Sequence, residues 1–156
     1  MDSLKTKKNH GCKIIAVIQQ KGGGTKTTTS INLGMALNEH GYKTLIGDMD
    51  SAKPDAVQWS EMGECKIADN VMPIFKDNPR QLISGLQEQY DFIILDTPPN
   101  LDGAALKAAI LADLIIIPCS PSTLDQMALI RAVECALFAE KPFKLLASKV
   151  KKNTIS

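Results

Sequence analysis

Short apolar blocks alternate along the chain with stretches of helical spacing. Residues 13–19 (KIIAVIQ) form an apolar block of β character that meets Gly22, Gly23 and Gly24 before helical spacing begins. That order predicts strand, tight loop and helix. Over residues 26–40, Ile31, Met35 and Leu37 fall near helical spacing, and Gly41 follows as a stop. Residues 44–50 (TLIGDMD) make a second apolar run, followed by a looser region with Pro54 and the single tryptophan, Trp59. A short strand is expected near residues 71–75. Asn78-Pro79 opens a helix through Leu82, Ile83 and Leu86, and residues 90–96 (YDFIILD) read as the strongest strand of the chain. A helix over 104–112, a strand over 114–119 (LIIIPC), a helix over 124–138 and a last strand from Phe143 (FKLLASKV) complete the pattern. In the helix over 124–138, Met127, Leu129, Ile130 and Leu137 are expected to face the core.

Continuous apolar strands alternating with helices predict an α/β fold whose parallel sheet is covered by helices on both faces. Ligands of such folds lie at the carboxyl ends of the strands. Those ends hold the Gly/Lys/Thr loop after the first strand, Asp48 and Asp50 after the second, and Asp96 after YDFIIL. The polar first eleven residues, with Lys5, Lys7 and Lys8, read as a mobile basic arm, leaving residues 12–156 as one domain.

Composition narrows the function. Apolar residues make up 44% and charged residues 22% of the 156, which fits a packed globular domain. A formal charge of +1 leaves no global field for nucleic acid or membrane, so any such contact must be local. With 4% aromatic residues the core is aliphatic, and few rings are left to stack on bases. The cysteines Cys12, Cys65, Cys119 and Cys135 are scattered and lack zinc spacing with His10 and His40. Free, mostly buried thiols in a reducing cytoplasm are expected, with Cys119 as a small core residue. The longest apolar stretch, near 111–119, is broken by Asp113 and predicts no membrane span.

The segment from Gln19 to Thr28 (QQKGGGTKTT) has the chemistry of a phosphate cradle. Glycines turn backbone N–H groups toward an anion, the following helix offers its positive end, and Lys26 can reach outer phosphates. Thr27 would give a hydroxyl to magnesium. The pattern G-x-x-x-x-G-K-[ST] is missed at Gln20 and Thr25. A tight turn alone would account for the glycines, but not for two lysines bracketing them beside Thr27.

The loop resembles K-G-G-x-G-K-T-T, the deviant Walker A motif of the ParA/MinD family of partition and positioning ATPases, matching six of seven fixed positions. In the same order, DMD at residues 48–50 resembles the family's D-x-D, and IILDTPP at 93–99 resembles its Walker B segment. IIIPCSPSTLD, ending at Asp125, is similar to its next strand and turn, and the small plasmid-partition ATPases similar to ParF are the nearest shape.

The resemblance implies a P-loop NTPase-like sheet, ATP/ADP and Mg2+ as ligands, and hydrolysis of ATP to ADP and phosphate. Residues 21–28 (Lys21, Gly22, Gly23, Gly24, Thr25, Lys26, Thr27, Thr28) would bind nucleotide. Lys26 would hold the outer phosphates, Thr27 would ligate magnesium, Asp96 would hold that ion through water, and Asp48 would support its shell. Lys21 would reach a phosphate across an ATP-dependent homodimer, and Asp50 would orient the attacking water. The implied role is DNA partitioning in the cytoplasm, with a centromere-binding ParB-like adaptor, nonspecific DNA as track and no membrane. Lys149, Lys151 and Lys152 form a small basic end, of the kind that is usually a solvated terminus, with contact to DNA phosphates as the alternative.

Thr25 departs from the pattern: in the family glycine's usual conformation a β-branched residue would cost about 1–3 kcal/mol. Ser51 replaces the proline after D-x-D, and the chain is C-terminally short against the family pattern. These departures support an alternative, a catalytically silent binding module with weakened nucleotide binding. A nitrogenase-iron-protein-like reductase is disfavoured, because the segment after Asp96 reads TPPNLD without a cysteine.

Overall fold

The structure, a computed structural model, describes residues 11–20, 25–63, 65–75, 78–101, 103–120 and 125–148. Residues 1–10 of the expected arm, and Lys149, Lys151 and Lys152, lie outside the described residues.

Six strands form one parallel sheet: β1 (Lys13–Val17), β2 (Thr44–Asp48), β3 (Val71–Pro73), β4 (Phe92–Asp96), β5 (Leu114–Cys119) and β6 (Phe143–Ala147), in spatial order β3-β2-β4-β1-β5-β6. The helices are α1 (Thr25–Glu39), α2 (Asp55–Ser60), α3 (Pro79–Leu86), α4 (Ala104–Leu111) and α5 (Asp125–Phe138), with a 3₁₀ turn at Lys66–Asn70. All six strands and four of the helices answer to the elements expected from the pattern. Helix α2 and the 3₁₀ turn occupy the region read as loose.

Strand alternation sorts the side chains into two aliphatic layers. Ile14, Ala16 and Ile18 of the first strand segment join Ile93, Leu95, Ile115 and Ile117 beneath α3, α4 and α5. Val17, Ile46 and Ile94 face the other way, against Ile31 of α1, Ala56 of α2 and Ile67. Small residues set the spacing. Ala105, Ala108 and Ala109 of α4 are fully buried, and Gly34 lets α1 approach β2 so closely that a Cβ there would sit 2.8 Å from Ile46 Cδ1.

Helix ends follow backbone chemistry. Gly41 (φ +85°) closes α1, with Tyr42 N–H donating to Leu37 O at 3.1 Å and Gly41 N–H to Asn38 O at 3.0 Å. Helix α5 closes with the same paired bonds, Lys141 N–H to Ala136 O (3.2 Å) and Glu140 N–H to Leu137 O (3.0 Å), but with Glu140 at φ 55°.

One expectation about the core fails. Met127, Ile130 and Leu137 are 64%, 50% and 61% exposed, while Leu129 packs against the core. Helical periodicity locates an apolar stripe but not its partner, and among the described residues no element covers this side of α5. Among the described residues neighbouring β6 forms the end of the sheet; its Phe143 packs against the core, while Leu145 and Leu146 are exposed. No helix among the described residues is long and apolar enough to cross a membrane.

Candidate functional site

The register of the central strands gathers the site. Val17 pairs with Asp96, and Asp96 with Asp48, so the ends of β1, β4 and β2 lie side by side at one edge of the sheet. The chain leaves β1 there and returns as the first turn of α1, bringing Lys26, Thr27 and Ser30 over Asp96. Lys21, Gly22, Gly23 and Gly24 lie outside the described residues.

Asp96 is the centre of the site. Its side chain is 2% exposed, yet both oxygens are satisfied: Thr27 Oγ1 donates to Oδ2 at 2.7 Å and Ser30 Oγ donates to Oδ1 at 3.0 Å. Burial pushes its pKa up to about 6; the two hydroxyl bonds and the Lys26 charge pull it down, while Asp48 adds repulsion. Lys26 is 7% exposed, and burial lowers its pKa against the attraction of Asp96, Asp50 and Asp55. A buried lysine thus sits among carboxylates at a helix N-terminus. That arrangement stores a cation where an anionic ligand would take over as its partner.

Asp48 is tied into the backbone around it. The carboxylate is fully buried; Oδ1 accepts Asp50 N–H at 3.0 Å, and Oδ2 accepts the N–H groups of Ala56 (3.0 Å) and Val57 (3.1 Å). Asp48 therefore caps α2 from a distance and ties the Asp50 turn to the strand end. Burial raises its pKa, and these same backbone bonds oppose the rise. Asp50 is half-buried, and its Oδ1 accepts from Ala52 N–H (3.2 Å) and Lys53 N–H (3.0 Å), closing its own turn.

Thr25 is the first residue of α1, and Glu140 is the only non-glycine with positive φ among the described residues. The strain anticipated for a threonine at this position is absent, because the backbone there is already helical. Its carbonyl accepts Thr29 Oγ1 at 2.5 Å, and Thr28 is exposed.

Four features were missed in the sequence. Ser30 bonds both Asp96 and Lys26 O (3.0 Å), and its position three residues after Thr27, on the same helix face, was the available signal. Gln19 is 4% exposed and joins two strand ends, its Nε2 donating to Pro118 O (2.7 Å) and its Oε1 accepting Gln20 N–H (2.8 Å). Asp55, in the first turn of α2, adds to the field at Lys26 and pairs with Lys53 at 3.4 Å. Thr97 Oγ1 donates to Val17 O at 2.7 Å and locks β4 to β1 just below the loop. All four cysteines are free thiols, and Cys119 is half-buried with Sγ 3.6 Å from Leu146 O.

Among the described residues no cluster of three or more His, Cys, Asp or Glu forms a metal cage. One buried carboxylate beside a hydroxyl and a lysine instead fits magnesium, which keeps water and shares its coordination with phosphate oxygens.

Comparisons with known proteins agree with this geometry. The profile of the AAA domain family matches residues 12–79 and 76–135. The maintenance of carboxysome distribution protein A of Gloeobacter kilaueensis is 37% identical over 128 residues, covering 80% of this chain and 57% of that protein. The chain thus spans little more than half of that relative's length. Among solved structures, a plasmid partition protein from Borrelia burgdorferi superposes with a TM-score of 0.76 at 22% identity, covering 92% of this chain and 81% of that one. The septum site-determining protein MinD of Pyrococcus horikoshii, complexed with Mg-ADP, gives 0.66 at 24% identity, covering 85% and 68%.

Proposed function

We propose, starting from the fact that the chain belongs to the ParA/MinD family of partition-ATPase-like proteins, that it is a nucleotide-dependent positioning ATPase. It binds Mg-ATP, dimerises around it and hydrolyses it to ADP and phosphate to partition DNA, with a ParB-like adaptor as partner and nonspecific DNA as track. One observation carries the reading: Lys26, Thr27 and the buried Asp96 converge at the aligned ends of β1 and β4, under the N-terminus of α1. The Gloeobacter relative's link to carboxysome distribution, the Borrelia protein's to plasmid partition and the Pyrococcus protein's Mg-ADP support the same class.

In this mechanism the chain's own residues position and neutralise. Lys26 exchanges its carboxylate neighbours for the outer phosphates, and the N–H groups of the first turn of α1, with Thr28, hold the inner ones. Thr27 and Asp96 would hold a magnesium ion, Asp96 through water, and the bound ion would supply charge that neutralises the phosphates. Asp50 orients the attacking water from a turn that Asp48 keeps in place. Lys21, outside the described residues, would bring its charge to a phosphate on the partner subunit, as an arginine finger does.

The silent-module alternative loses its strain argument, since Thr25 sits in helical backbone. Calorimetric titration of Mg-ATP into the chain and into Lys26→Ala tests the reading. Saturating heat in the parent that is at least tenfold weakened in the variant, with matching circular dichroism, is the expected result. A parent without binding heat refutes it.

A further inference from the structure

The geometry points to Ser30 as a positioning residue that sets the orientation of the Asp96 carboxylate toward a divalent cation. The inference rests on the reading of Asp96 as the carboxylate behind that ion. Thr27 and Ser30 stand three residues apart on one face of α1, and each donates to a different oxygen of Asp96, at 2.7 and 3.0 Å. Two clamps on two oxygens fix the plane of the carboxylate, whereas one would leave it free to turn about its last torsion.

Ser30 is fully buried and has one proton to give. It faces two acceptors at the same distance, Asp96 Oδ1 and Lys26 O, both 3.0 Å away. A carboxylate accepts more strongly than a peptide carbonyl, so while Asp96 is ionised the proton belongs to it. Back-bonding to the carbonyl four residues earlier, common for helical serines, is then the secondary contact. Once Thr27 turns a lone pair to a cation, Ser30 remains the anchor of Asp96 that does not touch the ion. Partners of direct metal ligands tune affinity by about 10–100-fold; Ser30 stands behind a carboxylate that would hold the ion through water, so its effect belongs at the lower end of that range.

The test compares the parent, Ser30→Ala and Ser30→Thr. Mg2+ is titrated calorimetrically into each chain saturated with ADP, and ADP affinity is measured separately in EDTA. Ser30→Ala should weaken Mg2+ about tenfold while ADP binding in EDTA stays within twofold of the parent, and Ser30→Thr should recover most of the loss through its retained hydroxyl. A Ser30→Ala titration that overlays the parent overturns the inference. So does a loss of ADP affinity equal with and without Mg2+, which marks mere helix packing. A parent that binds ADP without responding to Mg2+ refutes the role of Asp96 itself, and Ser30's with it, and is recognised from the parent curve alone.

Discussion

Replacing Asp48 separates a structural carboxylate from a cation ligand. Asp48→Ala strands three backbone donors: the N–H groups of Asp50, Ala56 and Val57. Ala56 is fully buried, so its N–H cannot turn to water, whereas Asp50 and Val57 are half-buried and regain part of their hydration. An unsatisfied buried donor costs about 1–3 kcal/mol. The cost is reduced because burial already penalises this charged carboxyl. A net loss of about 3 kcal/mol follows, mostly at the first turn of α2. At about 2–4 °C per kcal/mol for a domain of this size, the melting temperature should fall by about 6–12 °C. Asp48→Asn keeps an oxygen for Ala56 and Val57 but sets its NH2 against the Asp50 N–H, and should cost roughly half as much. Thermal melts at pH 7.5 in EDTA, without nucleotide, isolate the effect because a cap needs no metal. A shift under about 2 °C for Asp48→Ala, together with a lost Mg2+ response, would refute the capping argument and return Asp48 to the magnesium shell.

Glu140→Gly should stabilise the chain by about 0.5–1 kcal/mol, since a glycine at the α5 cap relieves the positive φ at Glu140. The check is a higher urea midpoint with an unchanged slope. Burial, with added repulsion from Asp113 and Asp91, pushes the Cys12 thiol up to about 11. At pH 8 its thiolate is therefore scarce, and iodoacetamide should modify Cys12 at least about tenfold more slowly in the folded chain than in urea, read by peptide mass spectrometry. Equal rates would mean the thiol is not held in its folded surroundings.

The architecture was legible because each apolar strand is bounded by turn chemistry and each long helix carries a buried stripe. YDFIILD and LIIIPC admit few other readings, and Lys26, Thr27 and Asp96 meet as their places on successive elements imply. Helix α2 was invisible for the converse reason. Six residues offer little periodicity, and its N-terminal cap comes from Asp48, seven residues before the helix begins, so no local rule could see it. The same remoteness hid the capping bonds of Asp48, which join it to residues eight and nine places further on. For Met127, Ile130 and Leu137 the pattern was correct about the stripe and silent about what lies opposite. For Thr25 the expected penalty depended on a backbone conformation that sequence does not display, and the backbone there is helical.

The bare outer strand governs how the protein must be handled. Among the described residues β6 is the last strand of the sheet, with Leu145 and Leu146 exposed on alternate faces. Such an edge is a template for any extended segment it meets. Wherever β6 stays uncovered, apparent particle size should rise with protein concentration and without nucleotide. A doubled mass on a sizing column would then report sticky edges, and only a size that follows ATP across a dilution series would support the proposed nucleotide-dependent dimer.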